Sequence, residues 1–437
     1  MAIGESWGRT LKADQEIHPR YWTNQPLPDI HAGKSLLPYG LGRSYGDSCL
    51  NDGGILIPTA SLDRIIHFDR ENGTIRAEAG ISLADLLLVV VPAGWFLPVV
   101  PGTKFITLGG AIANDIHGKN HHTAGTFGRH VRGIELQRSD GTSTICTQTQ
   151  DTDLLRATVG GLGLTGLILW AEIRLKKIVS STIVSETIKV KNLDAFLELS
   201  ASSDKDFEYT VAWLDSQSKS HGKGIFIRGN HCENPKHGLK VHNAPKLPCP
   251  VDAPNFMLNP LTVKAFNFAY YNKQLGKEKT ANVHYDPFFF PLDAVHDWNR
   301  IYGKRGFYQY QFVLPEMKDQ QAVRDILDVI ARSGQGSFLA VIKTFGEIRS
   351  PGLLSFPRPG VTVALDFPNC GNKTMRLFEE MDRIVLKNNG RLYPAKDACM
   401  TPRAFTLCYP ETKAFLPFVD PAFSSSFWRR VEQEAKS

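Results

Sequence analysis

Glycine is packed into three dense clusters within the first 166 residues, and each cluster commits the backbone to a close approach. The first is PYGLGRSYGD at 38–47, the second is PGTKFITLGGAIANDIHGKNHHTAGTFG at 101–128, and the third is GGLGLTG at 160–166. The middle stretch alone holds six glycines and three histidines. Only a residue without Cβ lets another group lie directly against the chain and adopts positive φ without strain. Three such loops in succession point to one large polyphosphate-bearing cofactor held by backbone N–H groups.

That cofactor is not held in a Rossmann fold. The first loop reads Gly40-x-Gly42-x-x-x-Gly46, one residue longer than the dinucleotide fingerprint, and a strand at 53–58 follows it where a helix is required. The third loop contains a literal G-x-G-x-x-G at Gly161, Gly163 and Gly166, but a helix precedes it and a strand follows. Both therefore fail the structural test for the motif.

Around these loops the chain alternates short strands and helices. Strands are expected at 35–39, 65–69, 74–79, 131–138, 143–147 and 167–175. Ser82 is expected to cap a helix, with Asp85 three residues on, that runs to about 91 before Pro92 stops it. Another helix is expected from about Asp151. Beyond about 179, strands at 183–190 and 208–213 flank a helix at 193–199. Residues 231–262, rich in Pro, His and Asn, read as a long, movable loop. FYQYQFVL at 307–314 alternates, so Tyr308, Tyr310 and Phe312 share one face and Gln309, Gln311 and Val313 the other. A helix at 317–333, strands at 338–345 and 361–367, and a helix at 375–388 complete an α+β pattern, a sheet with helices on one side.

The composition excludes other classes. With 42% hydrophobic and 22% charged residues the chain is neither disordered nor membrane-spanning. Its most apolar run, 86–100, is broken by Pro92, Gly94 and Pro98 and is too short for a bilayer. A net charge of +6 over 437 residues suits an anionic ligand or a membrane surface and is too weak to argue for nucleic acid. Seven scattered cysteines show no metal or redox spacing and read as reduced thiols of a cytoplasmic protein. The N-terminal MAIGESW lacks the pattern of a signal peptide. His117, His121 and His122 do not have the spacing of metal ligands, so no metal site is expected.

The three glycine loops, in this order and at these intervals, resemble the FAD-binding half of the vanillyl-alcohol-oxidase type of flavoenzyme. GRSYGD at 42–47, DIHGKNHH at 115–122, FYQYQF at 307–312 and LYPAKD at 392–397 further resemble the members of that family that oxidise a polyprenyl-phosphoryl pentose. The resemblance runs from about residue 35 to near the C-terminus. It implies an α+β, two-domain fold: a split FAD-binding domain over 1–180, a substrate-binding domain over 181–390, and a segment over 391–437 that completes the first. Flavin contacts implied by it are Pro38, Tyr39, Gly40, Leu41, Gly42, Arg43, Ser44, Tyr45, Gly46, Asp47 and Ser48 in the first loop. In the second they are Gly102, Thr107, Leu108, Gly109, Gly110, Asn114, Asp115, Ile116 and His117, with Ile168 and Tyr393 beyond it. In such flavoenzymes a histidine near the first loop often carries the flavin covalently. Asp47 stands at the corresponding position and has no ring nitrogen, so non-covalent FAD is expected.

The implied reaction is oxidation of a ribose 2′-hydroxyl to a ketone with hydride transfer to flavin N5, the first half of an epimerisation to the arabinose form. Lys396 is the first candidate for handling the hydroxyl proton and for placing positive charge near the reduced flavin, with Tyr45 and His117 beside it. Gly118, Lys119, Gln309, Gln311, Lys343, Phe345, Ala364 and Lys396 resemble substrate-pocket positions. Ala364 stands where well-known members have a cysteine. Implied partners are the polyprenyl-phosphoryl sugar, a short-chain reductase that takes the keto sugar, an electron acceptor such as a quinone, and peripheral contact with the inner membrane face. An oxidase of a soluble polyol or aldonolactone, and a flavin-binding protein without turnover, are the competing readings.

Overall fold

The computed structural model describes residues 2–435 apart from 32, 219–221, 242–246, 255–257, 316–319 and 338. Near the N-terminus a parallel sheet of three strands, Glu16–Ile17, Ile55–Pro58 and Leu36–Tyr39, carries the first glycine loop at the end of Leu36–Tyr39. Beside it lies an antiparallel sheet of five strands in the order Ile65–Asp69, Thr74–Glu78, Leu167–Arg174, Val131–Gln137, Ser143–Thr147.

The helix Leu83–Val90 packs on this second sheet through Leu83, Leu86, Leu87 and Val90, the i, i+3, i+4, i+7 stripe of an amphipathic helix. Its start follows the expected chemistry. Ser82 accepts a hydrogen bond from the Asp85 backbone N–H at 3.0 Å, a cap that contributes about 1 kcal/mol. The glycine-rich stretch 101–128 contains two short helices that sequence patterning did not reveal, Leu108–Ala113 and His121–Ala124. The first is capped by Thr107, whose Oγ1 accepts from the Gly110 N–H at 3.0 Å.

The third sheet is antiparallel and eight-stranded, in the order Glu278–His284, Thr182–Val190, Gly224–His231, Tyr209–Leu214, Ala340–Phe345, Gly360–Pro368, Phe307–Leu314, Arg391–Leu392. Its two faces differ in kind. Ala212, Leu214, Tyr310, Phe312, Ile342, Val363 and Leu365 point into the main core, where they meet the helices Leu193–Ser203, Gln321–Ser333 and Asn372–Lys387. Strand periodicity then turns Val211, Trp213, Gln309, Gln311, Val341, Lys343, Thr362 and Ala364 to the opposite face, which no helix of that core covers. Those residues line a cavity instead.

The chain returns to its start at the C-terminus. Phe423 pairs with Leu36, and helix Ser426–Ala435 brings Arg430 to Asp47 at the edge of the first glycine loop.

Element boundaries moved in several places. The helix expected at 193–199 runs to Ser203, and the one expected at 317–333 is seen over Gln321–Ser333, with 317–319 outside the described residues. The strand expected at 338–345 is Ala340–Phe345, and Phe338 lies outside the described residues. The loop reading of 231–262 needs the larger correction. A two-residue strand Leu247–Pro248 pairs in parallel with Val295–His296, and Arg9 grips Asp252 through two hydrogen bonds of 2.6 and 3.2 Å. The stretch ends in a helix, Pro260–Asn272, that begins with a full capping box between Asn259 and Thr262 and a proline at its first turn. Mobility was expected for this stretch as a whole, and its residues 242–246 and 255–257 lie outside the described ones.

Candidate functional site

The cavity, of about 750 Å³, lies between the glycine loops and the face of the eight-stranded sheet turned away from the main core. All three loops reach it. Gly40 to Tyr45 and Ser48 line it from the first loop, Gly102, Thr107, Gly109, Gly110 and Asn114 from the second, and Leu162, Gly163 and Gly166 from the third.

Its glycine-lined half has the chemistry of a polyphosphate cradle. The backbone N–H groups of Leu41, Gly42, Arg43 and Ser44 donate to no other group among the described residues. Gly42 holds φ at +62°, which turns this run of donors into a concave nest that a Cβ would strain. Ser48 Oγ is buried beside it with no partner among the described residues. A Cβ added at Gly102 would meet nothing within 4 Å, and one at Gly110 would meet only Thr107 Oγ1, so both open onto the cavity. Buried donors without acceptors are costly unless a ligand satisfies them. A dinucleotide's pyrophosphate and ring edges are such a ligand, so the residues fit the cofactor expected from the sequence.

The sheet-lined half is polar and cationic. Gln309 Nε2 donates to Asp366 Oδ1 at 2.5 Å, and Tyr302 donates to the other oxygen of Asp366 at 3.4 Å. One strand position on, Gln311 Nε2 lies 3.0 Å from His117 Nε2 and 3.3 Å from Thr362 Oγ1. Lys343 Nζ lies 3.0 Å from His117 Nδ1. Lys396 Nζ sits 4.0 Å from the centre of the Tyr45 ring. Lys119 donates to the Phe288 carbonyl and lies over the Phe288 ring.

These contacts fix protonation states. Thr362 spends its hydroxyl proton on the Phe312 carbonyl at 2.8 Å, so its oxygen can only accept from Gln311. Gln311 must then present its NH₂ to both Thr362 and His117, and His117 Nε2 accepts. The ring proton therefore resides on Nδ1, where the Gly118 carbonyl is an acceptor and Lys343 Nζ lies alongside.

Burial pushes Lys343 down to about 7, with help from the Lys119 and Lys396 charges. It holds His117 well below the usual histidine range, with Lys343 next in effect. Burial also brings Lys119 to about 7. It lowers Lys396 to about 8, while the Asp366 charge pulls the other way. Asp366 itself is raised by burial to about 7. The Tyr45 phenol is pushed well above its ordinary value, so it is a donor and not a base. Near neutral pH the site thus holds the Lys396 ammonium, Lys343 and Lys119 poised between ammonium and amine, a neutral imidazole and a carboxyl poised to ionise.

Most expected contact residues reach the cavity: Pro38, Ile116, His117, Gly118, Lys119, Ile168, Gln309, Gln311, Lys343, Ala364, Tyr393 and Lys396 all line it. Several do not. Tyr39 turns its hydroxyl to the Glu5 carbonyl, Leu108 is core, and Gly46 lies so close to the Asp397 carbonyl that a Cβ there would sit 1.8 Å from it. Asp47 turns away from the cavity to Arg430, at 2.7 and 2.9 Å, and Arg430 also binds Asp397. Asp115, at φ +39°, is a brace: its carboxylate accepts from Ser350, Ser355 and the Gly128 N–H. Phe345 packs behind the site, edge-on to His117 at 4.8 Å and against His121 at 4.5 Å. Gly109 lines the cavity with backbone only, since its Cβ direction meets Ala79 at 3.1 Å.

Other residues of the site were missed from the sequence. Asp366 and Thr362 lie on a strand of which only Ala364 was expected at the pocket, and their roles depend on partners 57 and 51 residues away. Trp213, Phe266, Tyr270 and Lys273 form part of the cavity wall. Trp213 had no motif around it, and the other three lay past the stretch read as loop, which ended at 262, where no element was expected. Among the described residues no group of His, Cys, Asp and Glu could hold a metal ion.

Comparison with known proteins agrees with this geometry. The family model described as FAD binding domain matches residues 31–147. Decaprenylphosphoryl-beta-D-ribose oxidase of Mycolicibacterium smegmatis is 36% identical, over 98% of this chain and 96% of its own. L-gulonolactone oxidase of Mus musculus is 26% identical over 53% of this chain and 49% of its own. Delta(24)-sterol reductase of Homo sapiens is 29% identical over 26% of this chain and 22% of its own.

Proposed function

We propose that this chain, which belongs to the decaprenylphosphoryl-beta-D-ribose oxidase family of FAD-binding proteins, oxidises the 2′-hydroxyl of a polyprenyl-phosphoryl-β-D-ribose to a ketone. The observation that carries the reading is that the cofactor cradle and the polar sheet face share one cavity, which Lys396 also lines. Its ammonium lies over Tyr45 of the first glycine loop and is coupled to Asp366 of the sheet.

Bound FAD supplies the two-electron acceptor for the hydride that leaves C2. The protein supplies the rest. Lys343 Nζ, brought toward its amine form by burial and the neighbouring lysines, takes the hydroxyl proton as the C2–O bond becomes a carbonyl. Lys396 Nζ, still an ammonium, stabilises the negative charge that develops across the site. Gln309 and Tyr302 hold Asp366 in place, and Asp366 positions Lys396 and sustains its charge. Lys119 adds a further donor suited to the phosphodiester.

The flavin is bound without a covalent link, a reading supported by Asp47 being committed to Arg430. Heat or acid precipitation of the yellow protein is expected to leave the flavin in the supernatant, and colour retained in the pellet would contradict this.

The rate of flavin reduction in single turnover is expected to follow a bell in pH, because Lys343 must be deprotonated and Lys396 protonated. The acid limb falls near pH 7 and the alkaline limb near 8. Lys343→Gln removes the acid limb. If that limb survives, it belongs to Asp366, which titrates in the same range. Asp366→Asn removes the charge that raises Lys396, so the alkaline limb moves to lower pH.

The domain division that suits this reading is 1–180 and 391–437 for FAD and 181–390 for the sugar. The Phe423–Leu36 and Arg430–Asp47 contacts support it, although Arg391–Leu392 extend the eight-stranded sheet. A short-chain reductase would consume the keto sugar and a quinone would reoxidise the flavin. Oxidation of a soluble polyol or aldonolactone is the second reading, favoured by the half-chain likeness to L-gulonolactone oxidase. Anaerobic mixing with short-chain prenyl-phosphoryl ribose, free polyols and aldonolactones separates the two. Bleaching by the phosphoryl sugar alone is expected, and bleaching by the free polyols or lactones alone would overturn the proposal.

A further inference from the structure

Helix Pro260–Asn272 has apolar residues on both sides. Toward the protein, Phe266, Tyr270 and the adjoining Lys273 line the cavity, with Tyr270 4.7 Å from Trp213. Only Val263 and Asn267 on this helix are buried. On the outer side Leu261 is 75% exposed and Phe268 68%, at the i, i+7 spacing of one stripe, and Leu275 just beyond the helix is 97% exposed. Lys264 is the one charged residue between 260 and 272. A helix surrounded by water would carry polar residues at such positions.

A second exposed apolar pair adjoins the same cavity. Leu247 lies in the short strand paired with Val295–His296, and Val251 lies just beyond it; Val295–His296 are themselves part of the cavity wall. The charge around the helix is mainly positive, although Asn267 on its buried side donates to Asp215 at 2.8 Å. Residues 260–279 hold four lysines, at 264, 273, 277 and 279, against the single acid Glu278. Lys189 and Lys223 add to them by lying over the Tyr271 ring at 4.6 and 4.1 Å.

We propose that the outer stripe of helix Pro260–Asn272, with Leu275 and the lysines beside it, seats the protein on an anionic lipid bilayer and opens the cavity toward it. An apolar stripe edged by lysines is what the interface between anionic headgroups and acyl chains accepts. The cavity lies directly beneath this helix, so a substrate whose prenyl tail stays in the bilayer needs to lift only its phosphoryl sugar past Phe266 and Tyr270. That last step deepens the sugar reading above and rests on it. The contact with lipid does not. Among the described residues no helix is long and apolar enough to cross a membrane, so the attachment is peripheral.

The test is sedimentation of the holoprotein with vesicles of phosphatidylcholine, with and without phosphatidylglycerol, and with no sugar present. The wild type is expected to sediment with the anionic vesicles and to be released by salt. The triple variant Leu261→Asp, Phe268→Asp, Leu275→Asp should bind at least about tenfold more weakly, with flavin content unchanged. The triple variant Lys264→Gln, Lys277→Gln, Lys279→Gln guards against a folding defect in the first, and should lose the preference for anionic lipid. Flavin reduction by a water-soluble short-chain substrate should be equal in all three proteins, whereas reduction by a long-chain substrate embedded in vesicles should slow in both variants. The proposal is overturned if the wild type stays in the supernatant with anionic vesicles. It is equally overturned if the aspartate variant binds as well as wild type, or if those substitutions instead split a dimer. Because the vesicle arm contains no sugar, its result stands whether or not the sugar reading holds.

Discussion

Lys396→Met is expected to slow reduction of the bound flavin by substrate about 10²- to 10⁴-fold, the range for a lost electrostatic or acid–base group. Methionine keeps the aliphatic stem that lies against Tyr45 and removes only the ammonium. The group is buried, and its charge persists because Asp366 opposes the effect of that burial. The two other lysines beside it in the site are already committed. Lys343 is engaged with His117 and Lys119 with the Phe288 carbonyl. Flavin content should scarcely change, because the glycine loops bind the cofactor through backbone groups. The alkaline limb of the pH profile should vanish with the lysine. A variant that keeps its flavin and reduces it at nearly the wild-type rate would remove Lys396 from the mechanism.

Gly110→Val should act on the opposite quantity and deprive the protein of its colour. The added Cβ would stand 2.9 Å from Thr107 Oγ1 and otherwise face open cavity, so the two methyl groups beyond it occupy the space of the cofactor. Thr107 cannot yield freely, because its oxygen caps the helix by accepting from the Gly110 N–H. Overpacking of this kind costs about 1–3 kcal/mol, and binding against a fixed backbone belongs at or beyond the upper end. That corresponds to roughly a hundredfold weaker flavin binding or more. The protein should still fold, with a melting temperature only a few degrees below that of wild-type apoprotein, because the collision is with one side-chain oxygen. Gly109→Val is a poorer probe, since its side chain would collide with Ala79 on the sheet and confound cofactor loss with misfolding. Full flavin occupancy in Gly110→Val would show that the cofactor does not approach this turn.

Features that were legible in the sequence depend on neighbours along the chain. The Ser82 cap needs only Asp85, and the alternation at 307–314 needs only a strand. From that alternation came the correct division of Tyr310 and Phe312 into the core from Gln309 and Gln311 toward the cavity. What stayed hidden depends on pairs far apart. Lys343 and His117 are separated by 226 residues, and no local signal says that the two side chains meet. Asp47 sits beside the nest, yet its carboxylate follows Arg430 from 383 residues downstream. Helix Pro260–Asn272 was hidden for another reason. Its Asn-Pro start is a legitimate helix signal, but apolar residues on both the cavity and outer sides erase the period by which such helices are recognised. Phe345 was assigned to the pocket by resemblance, whereas its ring supports His117 and His121 from behind.

The central claim is that C2–H of a polyprenyl-phosphoryl ribose breaks as hydride within this cavity. It is tested most directly by anaerobic single-turnover mixing of the yellow protein with a short-chain substrate carrying deuterium at C2, followed at the flavin absorbance. Bleaching should be markedly slower than with the protiated sugar, and the recovered product should be the ketone without deuterium at C2. Bleaching at equal rates with the label still on the sugar, or no bleaching by either sugar, would contradict the account.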